Sequence, residues 1–294
     1  LEETEPRMNV TRFYWDNFNC DMSGGSRRYP EVTAAITKKF TEGSLIFNYL
    51  GHSSYNAISA EHSYSISQVQ SIYNKIYPVW FAGSCNLSQY DDFKSSFGEE
   101  IMLNPNGGAI ASIGAVRTAY ASPNLSLDKD FLRQAFNPEN EYRLGKIYRA
   151  AKTARGQDSN KMVYILLGDP GLKLKVPELN IVVDSIVTLN SDGSIVKTDT
   201  LKALSKVKIY CHVEDETGNP MNQFNGIVNA TLKDKEMKAF TKGNKNGITP
   251  FTYYDRQSTL YSGSSIVTNG AFELQIIIPK DINYNVDKGR LSMY

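Results

Sequence analysis

The sequence is short of the features that define several large classes of protein. Its 294 residues contain no apolar run of about 18, the length that crosses a bilayer as a helix. Only three cysteines are present, and this odd, small number argues against a disulfide framework and leaves at least one thiol free. Lysine and arginine (32) nearly balance aspartate and glutamate (31), so no excess of charge indicates nucleic acid as a partner.

The composition is that of a folded chain large enough for two domains. Hydrophobic residues make up 41% and charged residues 21%, which excludes a disordered protein. A chain of 294 residues suits two domains of ordinary size better than one small core. Residues 1–20 lack the layout of a signal peptide, and we expect the chain to be a fragment of a longer precursor.

Residues 30–175 alternate helical and strand patterns, as a doubly wound α/β domain does. Short apolar runs predict buried, mostly parallel strands, and amphipathic stretches predict the helices outside them. Proline opens the first helix, and a serine caps a later one. The predicted helices run from Pro30 to before Gly43 and over 65–76, 95–103, 125–136 and 143–154, and the predicted strands over 44–51, 79–84, 109–115 and 163–170.

The pattern changes near Pro177 and Glu178. From Ile181 onwards no helical period is present, and short alternating runs are separated by turn sequences such as NSDG, GNP and TNG. This pattern predicts an all-β, immunoglobulin-like sandwich of about 100 residues. We therefore expect an α/β domain at 1–176, without its N-terminal part if the chain is a fragment. A β-sandwich domain follows at 177–294, and its last strand either ends at GRLSMY or continues beyond it.

Two of the predicted strands end in residues that suit nucleophilic catalysis. SLIFNYLGHSS carries His52 onto a loop, and YPVWFAGSCNLSQYDD carries Cys85 onto another loop 33 residues later. Loops at the carboxyl ends of parallel strands hold the reactive groups of α/β proteins. A free cysteine is more often an inert core residue, but the small neighbours of Cys85 leave room around its sulfur. A thiol nucleophile with a histidine as its proton acceptor is the interpretation we favour.

Four further residues are candidates for binding substrate or supporting the site. Asn86 follows the cysteine, and Glu61 and Asp91 lie on loops at the same edge of the sheet, although a loop carboxylate of this kind is more often simply solvated. Arg117 follows the third strand, where it either holds a substrate carboxylate or pairs with Asp91 or Glu61.

The remaining histidines carry no such context. His62 and His212 read as ordinary surface residues. Without paired cysteines, three scattered histidines predict no metal site, and no motif indicates a cofactor.

Several strings together resemble the gingipain family of cysteine peptidases, which shares the caspase-like fold. They are NYLGHSS, the apolar strand that ends in SCN, FGEEIML, GGAIASIGAVR and LLGDPGLKL. AVRTAYASPN and DTLKALSKVKIYCHVEDETGNPMNQFNG look more like the branch of this family that acts as a sortase in type IX secretion. The resemblance covers residues 8–294 and includes the predicted β-domain.

The resemblance implies roles for individual residues. Cys85 would be the nucleophile and His52 the general base and acid, with the backbone N–H groups of Ser53 and Cys85 as the oxyanion hole. The family usually has glycine where this chain has Ser53, which keeps the backbone donor but narrows the space beside it. The acidic residue that orients the histidine in gingipains has no assigned counterpart here.

The same resemblance implies a function. Cys85 would cleave the C-terminal signal domain from exported cargo through a thioester, and either water or an amine of a surface glycolipid would then release the cargo. A location at the bacterial cell surface, associated with the outer membrane, and contact with other secretion components would follow. The β-domain would recognise cargo, seat the enzyme in a membrane complex or only stabilise its neighbour. The alternative is a non-catalytic binding or scaffold module that kept the fold and lost turnover.

Overall fold

The computed structural model describes residues 5, 7–244, 249–283, 285 and 287–294. The chain forms two compact units: residues 1–176 together with 242–248, and residues 177–241 together with 249–294. Within the described ranges, no helix combines the length and the apolar character needed to cross a membrane.

The first unit contains the helices and the parallel strands. Its elements in chain order are α1 (Pro30–Glu42), β1 (Ile46–Leu50), β2 (Ser53–Ser54), β3 (Ala57–Ile58), β4 (Tyr64–Ser65), α2 (Ile66–Gln70), β5 (Val79–Gly83), α3 (Phe97–Leu103), β6 (Ala111–Ala115), α4 (Ala121–Ala135), α5 (Leu144–Ala154) and β7 (Tyr164–Leu167). Single 3-10 turns occur at Trp15–Asn17 and Pro138–Asn140.

A four-stranded sheet forms the centre of this unit. Its strand order, β1-β5-β6-β7, follows the chain order. The first three strands are parallel and β7 is antiparallel, so the prediction of a mostly parallel sheet is confirmed. The direction of β7 follows from its connection, because two helices instead of one separate it from β6 and bring the chain back to the edge where β6 ended.

Helices cover both faces of the sheet. Successive strand residues point to opposite faces, so neighbouring side chains of β5 enter different layers. Trp80 packs against Phe40 of α1 and Phe97 of α3, whereas Phe81 stacks on Phe131 of α4 with ring centroids 4.7 Å apart. Every residue of β5 is therefore buried, as in a strand covered on both sides.

One helix is shorter than predicted. α2 ends at Gln70, whereas the amphipathic pattern continues to residue 76. The side-chain amide of Asn104 donates to the carbonyls of Val69 (2.8 Å) and Ile72 (3.2 Å). In a longer helix, these carbonyls would accept from backbone N–H groups of the following turn. Asn74 is buried, and its side chain bonds to the loop before β6. These contacts join segments distant in sequence and replace the last turns of the predicted helix.

The starts of two helices follow from local rules. A serine caps α3 as predicted, but the cap is Ser96, one residue after the predicted start at 95, and it exchanges hydrogen bonds with Glu99 in a capping box. α4 begins at Ala121, four residues before the predicted start at Leu125. Pro123 lies in its first turn, where a missing N–H costs nothing because helix N–H groups there have no intrahelical acceptor.

The second unit is all-β. Its strands are β8 (Asn180–Leu189), β9 (Ile195–Lys197), β10 (Lys206–Glu214), β11 (Gly226–Lys233), β12 (Met237–Phe240), β13 (Thr252–Asp255), β14 (Thr259–Val267), β15 (Ala271–Ile277) and β16 (Arg290–Met293). One antiparallel sheet has the order β15-β10-β8-β9, a second has β14-β11-β16, and β12 and β13 form a hairpin.

The two larger sheets share one hydrophobic core. Alternate residues of β10 are buried, and the cluster that they form includes side chains from β11 and β15. Such alternation is expected for strands with one face against a core. The predicted all-β character is confirmed, and the immunoglobulin-like topology stays a prediction.

Candidate active site

The register of two strands sets the positions of His52 and Cys85. β1 and β5 pair in parallel with a constant offset of 33 residues, from Ile46 opposite Val79 to Leu50 opposite Gly83. The Gly51 N–H donates to the Gly83 carbonyl at 3.4 Å, so the contact continues one residue beyond β1. His52 and Cys85 each follow two residues after the last pair and keep the same offset. The chain therefore leaves the sheet at both residues side by side.

The backbone at His52 is held firmly while its ring is exposed. The carbonyl of His52 accepts hydrogen bonds from the Tyr49 hydroxyl (2.6 Å) and from the Ser59 N–H (2.7 Å). A Cβ at Gly51 would lie 2.5 Å from the Tyr49 hydroxyl oxygen, so a larger residue there would displace this bond. Burial raises the pKa of Tyr49, which keeps its hydroxyl protonated as a donor at neutral pH.

A hydrogen bond joins the two loops. Ser53, which belongs to β2, donates from its Oγ to the carbonyl oxygen of Cys85. β2 in turn pairs with β3, with Ser53 opposite Ile58. The histidine loop is therefore connected directly to the backbone of the cysteine.

The sulfur of Cys85 lies against the backbone of Ala119, in the loop before α4. The thiol donates to the Ala119 carbonyl at 3.3 Å, and the Ala119 N–H donates to Sγ at 3.4 Å. Cys85 is half-buried beside the core cluster that includes α4 and α5. Cys211, in contrast, is buried in the second unit, and burial raises the pKa of its thiol to about 11. Cys85 is therefore a half-buried thiol beside a core, whereas Cys211 is a fully buried one.

The exposed ring of His52 borders an open pocket of about 420 Å³. His62, predicted as an ordinary surface residue, lines the same pocket. The rest of the lining comes from three serines and one alanine. The full set is His52, Ser53, Ser54, Ser59, Ala60 and His62. Across the described ranges, no hydrogen bond joins the imidazole of His52 to another group, so none joins it to the sulfur of Cys85.

Arg117 pairs with Asp91. Its guanidinium makes a bidentate contact, with Nη1–Oδ1 and Nη2–Oδ2 distances of 2.8 and 2.5 Å. This hydrogen bond lowers the pKa of Asp91 and raises that of Arg117. Both side chains are about half exposed, so the pair adds little to stability.

The two other candidates serve local structure. Glu61 contacts Arg27 at 3.2 Å, which leaves Asp91 as the acidic partner of Arg117. Asn86 has a φ of 55°, and its N–H donates to the Arg117 carbonyl at 3.2 Å. Asn86 therefore forms the turn that follows the cysteine.

A carboxyl group is buried close to the site. Asp128 of α4 is only 3% exposed, and burial raises its pKa to about 7, against a smaller opposing effect of a hydrogen bond with Asn48. Asn48 lies on β1, and Tyr164 is within electrostatic reach of both Asp128 and Cys85. Neither Asp128 nor the backbone contact of Ala119 was identified from sequence. The one signal that the sequence offers for either residue is its position after β6, because the carboxyl ends of β5 and β6 lie at the same edge of the sheet.

The family comparison is specific for the first unit. The sequence model described as peptidase family C25 matches residues 1–175. A comparison with curated protein sequences found no match.

Three solved structures are similar in part. Dimeric latent PorU from Porphyromonas gingivalis is 27% identical, with a TM-score of 0.35, over 52% of this chain and 14% of that protein. The Arg-specific cysteine proteinase gingipain R is 17% identical, with a TM-score of 0.45, over 89% of this chain and 55% of that protein. A complex of the pro- and mature domains of RgpB from Porphyromonas gingivalis is 16% identical, with a TM-score of 0.44, over 89% and 56%. The chain thus spans between about one seventh and just over half of these proteins.

Proposed function

This chain belongs to peptidase family C25, the gingipain family of cysteine peptidases, and from that membership we propose that Cys85 is its nucleophile and His52 its general base and acid. The observation that carries the proposal is the shared offset of 33 residues, which sets the two loops side by side at one edge of the sheet. The hydrogen bond from Ser53 Oγ to the Cys85 carbonyl supports it, because this bond connects the two loops.

The chemistry is acyl transfer through a thioester. His52 takes the thiol proton, and the sulfur attacks the carbonyl carbon of the scissile peptide bond. The tetrahedral intermediate collapses as the C–N bond breaks, and the imidazolium returns the proton to the leaving amine. The acyl group remains on Cys85 as a thioester. No oxidation or reduction occurs in either step.

The backbone N–H groups of Ser53 and Cys85 would stabilise the oxyanion. One donor of this kind contributes about 3 kcal/mol to the transition state. Support comes from the fixed backbone on either side of Ser53, which β2 and the two bonds to the His52 carbonyl hold in position.

Asn86, Asp91, Glu61 and Arg117 would shape the walls of the site. Because Arg117 already binds Asp91 in bidentate fashion, a substrate carboxylate would have to displace that partner. We therefore assign the pair to holding the loop after Cys85, and direct recognition of substrate to the pocket beside His52.

The more specific proposal is a sortase of type IX secretion. The enzyme would cleave the C-terminal signal domain of exported cargo and pass the cargo from the thioester to an amine, such as that of a surface glycolipid. It would act at the cell surface, associated with the outer membrane, and the immunoglobulin-like unit would contact cargo or other secretion components. The resemblance of the sequence to the sortase branch of the family supports this assignment.

The nucleophile is tested by replacing each first-unit cysteine. Cys85→Ala should abolish cleavage of a peptide library read by mass spectrometry, because the thioester cannot form. Cys20→Ala is the matched control, since Cys20 is also a half-buried free thiol in the first unit, and it should keep activity. Cleavage that persists in Cys85→Ala at the wild-type rate would overturn the proposal.

Transfer is tested by competition for the thioester. The substrate is a library peptide that the enzyme cleaves. Increasing concentrations of glycinamide should replace the acid product by the glycinamide adduct, because the amine competes with water for the thioester. The rate of substrate loss should not fall if thioester formation limits the rate. Exclusive acid product at high amine concentration would mean a peptidase and not a sortase.

A non-catalytic module is the second candidate. The observation in its favour is that, among the described residues, no hydrogen bond joins His52 to Cys85. Iodoacetamide distinguishes the two: a catalytic Cys85 reacts faster at neutral pH in the folded protein than in a denatured control, whereas a scaffold protein shows no such difference.

A further inference from the structure

Three polar side chains form a buried network beside Cys85. Asn124 of α4, Tyr164 of β7 and Asn160 of the loop before β7 are at most 5% exposed. Asn124 Oδ1 accepts from the Tyr164 hydroxyl at 2.7 Å and from Asn160 Nδ2 at 2.6 Å. Polar side chains are costly to bury unless they have hydrogen-bond partners, and the Asn124 Oδ1, the Asn160 side-chain amide and the Tyr164 hydroxyl all have them.

Asn160 holds the backbone of Tyr120 by both of its polar groups. Its Oδ1 accepts from the Tyr120 N–H at 2.9 Å, and its Nδ2 donates to the Tyr120 carbonyl at 2.7 Å. The preceding residue, Ala119, is the one whose N–H and carbonyl contact the sulfur of Cys85. The orientation of the peptide group in front of the sulfur therefore depends on Asn160.

Tyr164 reaches the cysteine from the other side. Its hydroxyl donates to Asn124, and it lies close enough to the backbone of Ser84 and to Cys85 for both to affect its pKa. Ser84 directly precedes Cys85. The network thus connects the backbone that carries the thiol with the backbone that contacts it.

We propose that Asn124, Asn160 and Tyr164 are positioning residues that hold the sulfur of Cys85 in one orientation between its own strand end and Ala119. This inference rests on the proposed role of Cys85. An apolar core would fill the same space without the desolvation cost of three polar groups, so a requirement for orientation explains their presence. A nucleophile displaced by about 1 Å loses up to about 100-fold in rate.

Tyr164→Phe is the sharpest test, because it removes one oxygen and keeps the ring. With a library peptide that the enzyme cleaves as substrate, we expect kcat to fall about tenfold or more. KM should stay within about twofold of the wild-type value, because the network is buried and does not contact substrate. The matched control is Tyr148→Phe, which deletes a hydroxyl that is also buried and has no hydrogen-bond partner among the described residues. It should leave kcat and KM unchanged.

A second pair of variants covers the case in which Tyr164→Phe fails to fold. Asn124→Leu removes the acceptor shared by Asn160 and Tyr164, whereas Asn124→Asp keeps an acceptor oxygen for both. We expect kcat to fall in the first variant and to recover, at least in part, in the second. A purely structural role would change thermal stability in both variants without this split.

Reactivity of the thiol gives a readout that does not need turnover. Iodoacetamide should alkylate Cys85 at least threefold more slowly in Tyr164→Phe than in Tyr148→Phe, with Cys20 in the same sample as the internal control. Equal kcat and equal alkylation in the two variants would overturn the positioning proposal even if Cys85→Ala is inactive. Activity retained in Cys85→Ala would overturn the nucleophile assignment, while the alkylation comparison still decides whether the network orients the sulfur.

Discussion

Asp128→Asn should stabilise the first unit, and the gain should grow with pH. Asp128 is 3% exposed on α4, and its Oδ1 has no hydrogen-bond partner among the described residues. Burial disfavours the charged carboxylate and raises its pKa from 3.8 to about 7, while the hydrogen bond with Asn48 offsets part of this effect. Asparagine has the same shape and carries no charge, so it removes the cost of burying the carboxylate.

The sign and size of the effect follow from proton linkage. The unfolded chain releases the Asp128 proton near pH 3.8, whereas the folded chain keeps it until about pH 7. Between these values the unfolded state binds fewer protons, so the free energy of unfolding of the wild type falls as pH rises. Each pKa unit corresponds to about 1.4 kcal/mol, which gives about 4 kcal/mol in total above pH 7. The gain from Asp128→Asn should therefore be about 2.5 kcal/mol larger at pH 8 than at pH 5.

Tryptophan fluorescence measures this unit alone, because the chain has two tryptophans and both, Trp15 and Trp80, lie in it. Urea unfolding of wild type and variant at pH 5, 6, 7 and 8 gives the difference at each pH. Asp130→Asn is the control: Asp130 is also 3% exposed but pairs with Arg133 and Arg155, so its loss should destabilise. A gain from Asp128→Asn that does not change with pH would refute the reasoning.

Further substitutions test other contacts. Ser96→Ala removes the capping box with Glu99 and should cost the first unit about 1 kcal/mol in urea unfolding followed by tryptophan fluorescence. The pKa of His212 is raised, first by its hydrogen bond to Glu214 and then by a second carboxylate, so its stabilisation is complete below about pH 6.5 and is lost as pH rises through the folded pKa. Hydrogen exchange of peptides from β10 should therefore distinguish His212→Gln from wild type more at pH 6 than at pH 9. Arg117→Ala breaks an exposed pair and should change stability by less than about 1 kcal/mol, and a larger loss would contradict the assignment.

Much of the first unit could be predicted because its central strands, β5 and β6, are buried on both faces. An apolar run such as that of β5 has one stable environment, so its identity as a central strand needs no knowledge of its partners. The common offset of His52 and Cys85 could also be anticipated, since both follow such runs directly. Local capping rules identified the start of α3 in the same way.

Contacts between distant segments could not be predicted from the same patterns. The end of α2 depends on Asn104, which binds carbonyls more than 30 positions earlier in the chain. The contact of Ala119 with the sulfur uses only its backbone, and an alanine carries no signal for that role. His62 shares a pocket with His52 through a short three-stranded sheet, β2-β3-β4, whose two-residue strands are too brief to show a period.

The pairing of β1 with β5 also determines which changes of chain length the site tolerates. Hydrogen bonds between the strands fix where His52 and Cys85 emerge, so extra residues inserted between Ile76 and Tyr77, which are both exposed, would lengthen a surface loop and leave both reactive groups in place. One residue inserted between Leu50 and His52 would instead change the offset of 33 residues that sets His52 beside Cys85. A search pattern for such enzymes should accordingly fix the spacing from each strand to its reactive residue and leave the gap between the two residues free.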